Sequence, residues 1–371
     1  MKIVLLARYL PAEGSTTHMY SVAENLVQRG HTVYMLSRGP GKDASAMQLY
    51  HQIKSRGVNF ITLPFPLYNK INLITQFNQL LHYLFAIPIA LFYFFKLKPD
   101  VIHAHYPVTT YLASIYRGLT GKKFIVTYHN MHIPRHLLNR KADYAIAISR
   151  ELEEDLVANY GYQKTEVVRI YNGVKDRNCI LMPQGIQNLK KAYHIPLEPM
   201  LFGFVGTLNH RKGIDVFLKA MQRCAHLNVH GVILGDGKDK AMENFVREHH
   251  LEECLTFIPF RDPSDIYNMM DVLILPSRVE GFPLVPLEAM MMKTPVIRSN
   301  IEGAKDQIQD GVNGYLFESE DDDKLAKIIE ELSSDPKRLS LMGEHAFAHV
   351  KGHFSEDMMV DKMLKVYRRT L

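Results

Sequence analysis

Short, unbroken apolar runs alternate with amphipathic stretches along almost the whole chain of 371 residues. The runs "KIVLLA" (2–7), "TVYMLS" (32–37), "VNFITLP" (58–64), "VIHAH" (101–105), "KFIVTYH" (123–129) and "YAIAIS" (144–149) read as strands. Their continuity means burial on both faces, because a half-exposed strand would alternate polar and apolar positions. The segments between them carry helical spacing. "MYSVAENLVQRG", for example, stops at Gly30, the residue type that best tolerates the left-handed turn closing a helix. The alternation lapses over residues 172–199, rich in Gly, Pro and Asn. It resumes with "LFGFVG" (201–206), "HGVILGDG" (230–237), "LTFIPF" (255–260), "VLILPS" (272–277) and "PVIRS" (295–299). The pattern predicts an α/β chain with two doubly wound, Rossmann-like domains, residues 1–175 and 176–354, and a linker near 175–195. Ligands of open parallel sheets bind beyond the carboxyl ends of the strands, so the natural site is a cleft between two such sheets facing each other.

Composition narrows the class without naming a chemistry. Apolar content of 47% and charged content of 22% are those of a soluble globular protein. The opening "MKIVLLARYLP" has five apolar residues in a row, too few for a signal-peptide core. Cys179, Cys224 and Cys254 are odd in number and widely spaced, which favours a reducing, cytoplasmic setting. Charge is uneven. Residues 1–175 hold 20 Lys+Arg against 10 Asp+Glu, a net of +10, and the remainder holds 24 against 29, a net of −5. A basic first half fits an anionic surface, and scattered solvated charge is the alternative. The run "LFAIPIALFYFF" (84–95) is too short to span a membrane and contains Pro88. It reads as a buried helix or as an interfacial one. The basic half lacks a basic–aromatic platform, so nucleic acid is not an expected partner.

Candidate chemistry concentrates in "EGFPLVPLEAM" (280–290). Glu280 precedes a Gly-Phe-Pro turn, and Glu288 lies on the helix that the turn opens near Leu284. Pro286 then falls in the first helical turn, where a missing N–H costs little. The amides of Gly281, Phe282 and Leu284 around Pro283 form an anion site suited to a diphosphate, while the two carboxylates accept hydroxyl hydrogen bonds. Arg211 and Lys212, in "VGTLNHRKGID" after a strand, are placed to neutralise a leaving diphosphate. Gly14 opens a helix at the matching place in the first half. His103, His105, His129 and His132 cluster at strand ends without a carboxylate or cysteine at ligand spacing. His103 and His105 are core or cleft residues, and His129 is best placed to reach a sugar hydroxyl. "DDDK" (321–324) imitates a metal motif but reads as helix-start acids.

Four stretches, "VGTLNHRKGID", "GVILGDG", "DVLILPSRVEGFPLVPLEAM" and "DGVNGYLF", follow the order and spacing of the retaining nucleotide-sugar glycosyltransferases of family 4. "RGHTV", "PDVIHAH" and "AIAISRELEEDL" also resemble that family, so the likeness covers nearly the whole chain. The resemblance implies the GT-B fold, with an acceptor-binding first domain, a donor-binding second domain and a C-terminal helix (about 355–371) packed on the first. It assigns Glu280 to the donor sugar, Glu288 to the ribose, Arg211 and Lys212 to the diphosphate, and His129 to the transferred sugar. It places the nucleobase on the backbone of Phe260 and Arg261, and adds Gly14, Thr207, Gly235, Gly281, Phe282, Pro283 and Leu284 to the donor site. The family's paired glycines appear here as Glu13-Gly14, its arginine as Thr207 and a motif glycine as Pro283.

What the resemblance implies is hexosyl transfer with anomeric retention from a nucleoside diphosphate sugar, UDP before GDP, to a glycan or lipid-linked glycan. It implies a front-face route without an obligatory metal or other cofactor. It also implies a place in bacterial surface polysaccharide or lipopolysaccharide assembly, in the cytoplasm and at the inner, anionic face of the membrane. A non-hydrolysing nucleotide-sugar epimerase and an inactive binding subunit are the competing readings.

Overall fold

A computed structural model describes the chain except residues 12, 42–43, 66–72, 106, 132–138, 177–179 and 238–239, and the side chains of 73–81 and 107–108. His132 and Cys179 fall outside the described residues. Two compact units emerge. One comprises Met1–Gly173 with Glu356–Leu371, the other Val174–Ser355.

The first unit is built on a seven-stranded parallel sheet. Its strands are β1 (Lys2–Leu6), β2 (Thr32–Ser37), β3 (Asn59–Thr62), β4 (Val101–Ala104), β5 (Ile125–Tyr128), β6 (Tyr144–Ala147) and β7 (Val167–Arg169), in the order 3-2-1-4-5-6-7. β4 and β5 are buried at every position, as their unbroken apolar runs require. The terminal helix Glu356–Arg368 joins this core through Met359, Val360, Met363, Leu364, Val366 and Tyr367. Asn25 Nδ2 donates to Glu356 Oε1 (3.2 Å), and Arg29 pairs with Asp357 (2.9 Å) and with Asp361.

The second unit carries six parallel strands. They are β8 (Met200–Val205), β9 (Val229–Leu234), β10 (Leu255–Ile258), β11 (Val272–Leu275), β12 (Val296–Ser299) and β13 (Gly314–Phe317), in the order 10-9-8-11-12-13. Both units are doubly wound α/β domains of Rossmann type. Each reverses winding direction once, between β1 and β4 in the first sheet and between β8 and β11 in the second.

Three expectations change. Part of the 175–195 segment is helical: Pro183–Ala192 is a helix, with Pro183 in its first turn and no buried residue. Strands β7 and β13 were not foreseen; each is only three or four residues long. The apolar run 84–95 lies in the helix Leu73–Leu97 and is not wholly core. Ala86, Ala90 and Phe94 are buried, while Leu84, Phe85, Phe92 and Phe95 stand 49–63% exposed, an aromatic stripe on its outer face. Among the described residues no helix is long and apolar enough to cross a membrane.

Candidate functional site

The loops that leave β8 and β11 flank the winding reversal of the second sheet, where an open α/β sheet parts to form a crevice. The first loop opens on Gly206 and closes on Gly213, whose φ of +72° suits glycine. Asn209 Oδ1 accepts from the Lys212 amide (2.9 Å) and so winds His210–Lys212 into a single turn. A Cβ on Gly213 would stand 2.0 Å from the Pro276 carbonyl oxygen. Glycine there lets the two loops touch.

Their contact brings the foreseen charges together. Lys212 Nζ donates to Glu280 Oε1 at 2.5 Å, and Ser277 Oγ donates to the same oxygen at 2.8 Å. Arg211, beside Lys212, is exposed. Behind them Arg278 ties the loops. Its amide donates to the Arg211 carbonyl (2.9 Å), and its guanidinium donates to the His210 carbonyl (2.5 Å). The same guanidinium grips both oxygens of Asp215 (2.8 and 2.7 Å) and one of Glu320 (2.6 Å). Glu320 meets it from the left-handed region, φ +72°, which a residue with a side chain seldom occupies. Burial disfavours the Asp215 carboxylate, yet the Arg278 hydrogen bonds and charge hold its pKa below the ordinary value.

The helix Leu284–Met291 starts beside this pair. Pro283 is its N-cap and brings no side-chain oxygen to cap the first amides, which leaves that end suited to an anion. Gln307 Nε2 donates to the Pro283 carbonyl (2.8 Å), and the fully buried Arg298 donates to Gln307, so the helix start is propped from within. Glu288 lies one turn along, where Tyr267 OH donates to its Oε2 at 2.9 Å.

The second unit also holds Thr207, Gly235, Phe260 and Arg261. Thr207 is exposed on the first loop. Gly235 is needed for packing, because a Cβ there would stand 1.9 Å from the Gly206 carbonyl oxygen. The Phe260 amide donates to Asp236 Oδ1 (3.2 Å). Arg261 stacks over Tyr193, 5.5 Å from the ring centre. In "DDDK", Asp321 accepts from the Lys324 amide (2.8 Å) as an N-cap, in keeping with helix-start acids.

Gly14 and His129 belong to the first unit. Gly14 starts the helix Gly14–Gln28, and a Cβ there would meet nothing within 4 Å. His129 follows β5, and its Nε2 stands 3.2 Å from His105 Nδ1. His103 is core: its two ring nitrogens bond Tyr367 OH and Thr127 Oγ1, each at 2.7 Å. Burial pushes His129 down to about 4 and His103 down to about 3, and holds His18 and His105 well below the ordinary range. All four rings are therefore neutral at pH 7.

Sequence reasoning passed over Arg278, Asp215, Tyr267 and His18. Arg278 and Asp215 stand inside the quoted motifs, and only their convergence in space marks them. His18 falls one turn into the helix that Gly14 opens.

Two family profiles match the chain, "Glycosyltransferase Family 4" over residues 12–177 and "Glycosyl transferases group 1" over residues 185–349. A D-inositol 3-phosphate glycosyltransferase of Corynebacterium urealyticum is 26% identical over 305 residues, 73% of this chain and 72% of that one. An O-antigen biosynthesis glycosyltransferase, WclY of Escherichia coli, is 35% identical over 134 residues, 36% of this chain and 37% of that one. HepE of Anabaena, solved in complex with UDP, superposes with a TM-score of 0.83 at 20% identity, over 100% of both chains.

Proposed function

We propose that this chain, which belongs to the family 4 glycosyltransferases of group 1 and has their GT-B fold, moves a hexosyl unit with retention from a nucleoside diphosphate sugar to an acceptor hydroxyl. The observation that carries the proposal is the Lys212–Glu280 pair beside the uncapped start of the helix that bears Glu288. A diphosphate laid over that helix start meets Arg211, Lys212 and backbone N–H groups. Glu280 then faces the sugar on one side, and Glu288 the ribose on the other. Here Lys212 already holds Glu280, so the donor's hydroxyls join an ordered carboxylate and its phosphates share an ordered cation. The charge that develops on the departing diphosphate is stabilised by groups fixed in advance. The diphosphate itself helps to deprotonate the acceptor, and His129 contacts the transferred sugar. No step calls for an obligatory metal.

UDP is the favoured nucleotide, with GDP second, since HepE was solved with UDP and with UDP-glucose. The acceptor is a glycan or lipid-linked glycan of bacterial surface polysaccharide or lipopolysaccharide assembly, as the likeness to an O-antigen enzyme suggests. The exposed stripe of Leu84, Phe85, Phe92 and Phe95, on a unit whose sequence is basic, supports work at the anionic inner face of the cell membrane. A thermal-shift panel of nucleoside diphosphates and their sugars tests the donor reading, because binding stabilises the folded state. UDP and one UDP-sugar should raise the midpoint more than uridine does. A flat panel would refute the reading. Conversion of the donor sugar without any acceptor would mark an epimerase instead.

A further inference from the structure

The histidines of the first unit hold more than a sugar contact needs. One ring nitrogen from each of His18, His105 and His129 lies within 4.8 Å of the other two. His18 is 1% exposed, and neither of its nitrogens has a hydrogen-bond partner; His105 Nε2 is buried and equally without one. Buried polar groups are nearly always satisfied, and a buried imidazole with neither nitrogen satisfied, as at His18, points to an occupant. We infer that His18, His105 and His129 form a site for a zinc-class divalent cation, which inhibits the enzyme by taking His129.

The donor set suits such an ion. Imidazole favours zinc, nickel, cobalt and copper over the oxygen-seeking magnesium and calcium. A four-coordinate ion with nitrogens at about 2.0–2.1 Å sets them about 3.3 Å apart. The 3.2 Å between His105 Nδ1 and His129 Nε2 already matches one such edge. Closing the widest gap from 4.8 Å requires a shift on the order of 1.5 Å, within reach of a ring rotation at His18. His103 stays outside the set, since Tyr367 and Thr127 hold both its nitrogens, but its ring packs 4.2 Å from that of His105 and steadies it. Three protein ligands leave a fourth position open to water.

The inhibitory part rests on the reading of His129 as the sugar contact; the ion site does not. The test therefore has two readouts on the full chain. Cobalt(II) titration should give the intense visible bands of a four-coordinate ion at one equivalent, displaced by zinc. His18→Asn and His105→Gln should each weaken binding by more than the roughly 10–100-fold that an outer partner costs, with thermal unfolding checked for each. The double variant His349→Ala/His353→Ala removes a competing helical pair, whose rings lie 4.8 Å apart, and should leave the bands intact. Absent bands in the wild type, or bands that vanish only with His349 and His353, would overturn the site. In the second readout zinc should stop glycosyl transfer, a chelator should restore it, and His18→Asn should resist it. Cobalt binding without inhibition would overturn the role given to His129 and leave the ion site standing.

Discussion

Arg278→Met separates the loop that carries Lys212 from the loop that carries Glu280. The substitution keeps the bulk of the side chain and deletes every guanidinium bond, while the backbone bond from residue 278 to the Arg211 carbonyl survives. Hydrogen bonds to a charged group contribute about 1.5–3 kcal/mol each when shielded. Asp215 and Glu320 are 38% and 63% exposed, so both rehydrate when the cation goes and the figures must be discounted. With about 1–2 kcal/mol for the fork on Asp215, up to about 1 for Glu320 and about 1 for the His210 carbonyl, the loss is about 2–4 kcal/mol. Chemical denaturation at pH 7 measures it. The sign with pH follows from Asp215. Its folded pKa is depressed, so its share is complete above its unfolded value near ~3.9 and fades as acid takes the pH below that. Catalysis should suffer more than folding does. A displacement of order 1 Å between two site groups costs about 100-fold in rate, and turnover at saturating donor reads it directly. Wild-type turnover in a folded Arg278→Met enzyme would show that Arg278 does not set the spacing of Lys212 and Glu280.

The other expectations concern the cations, the loop contact and the outer face. Arg211→Ala or Lys212→Ala should lower turnover by roughly 100-fold or more at saturating donor, as loss of a preorganised charge stabiliser does, and near-normal turnover would make that residue a surface cation. Gly213→Ala, forced into a left-handed conformation against the Pro276 carbonyl, should cost about 2–4 kcal/mol in denaturant unfolding, and a cost under about 0.5 would refute the described loop contact. Sedimentation with anionic vesicles should be strong at low salt and partly persist near ~1 M, because apolar burial is not screened. Phe85→Ser/Phe92→Ser should abolish the persistent part; equal binding to neutral vesicles at every salt would refute the electrostatic part.

What the sequence could tell depended on how far apart the cooperating residues lie. The buried parallel strands announced themselves as continuous apolar runs because burial on both faces leaves no polar position to interrupt them. The helix from Leu284 was legible through Pro283, Pro286 and the two glutamates, all within nine residues of one another. Strand β7, three residues long, offered too short a run, and the helix Pro183–Ala192 buries nothing and so shows no inward face. The run 84–95 mixes residues that go inward, Ala86, Ala90 and Phe94, with Leu84, Phe85, Phe92 and Phe95, which do not, and hydropathy averages the two. Arg278, Asp215 and Glu320 span 106 positions in the chain and meet only through the sheet's winding. His18 joined His105 and His129 for the same reason: β1, β4 and β5 are neighbours in the sheet and far apart in sequence.

Calorimetric titration with UDP puts the donor site to its most direct test, with uridine and the Glu288→Ala enzyme as the two comparisons. The account predicts one UDP per wild-type chain and far weaker binding of uridine, which lacks the diphosphate that Arg211, Lys212 and the helix start receive. It predicts a loss of about 1.5–3 kcal/mol in UDP binding for Glu288→Ala for each charge-assisted hydrogen bond to the ribose. Unchanged affinity in that variant, or no preference for UDP over uridine, would contradict it.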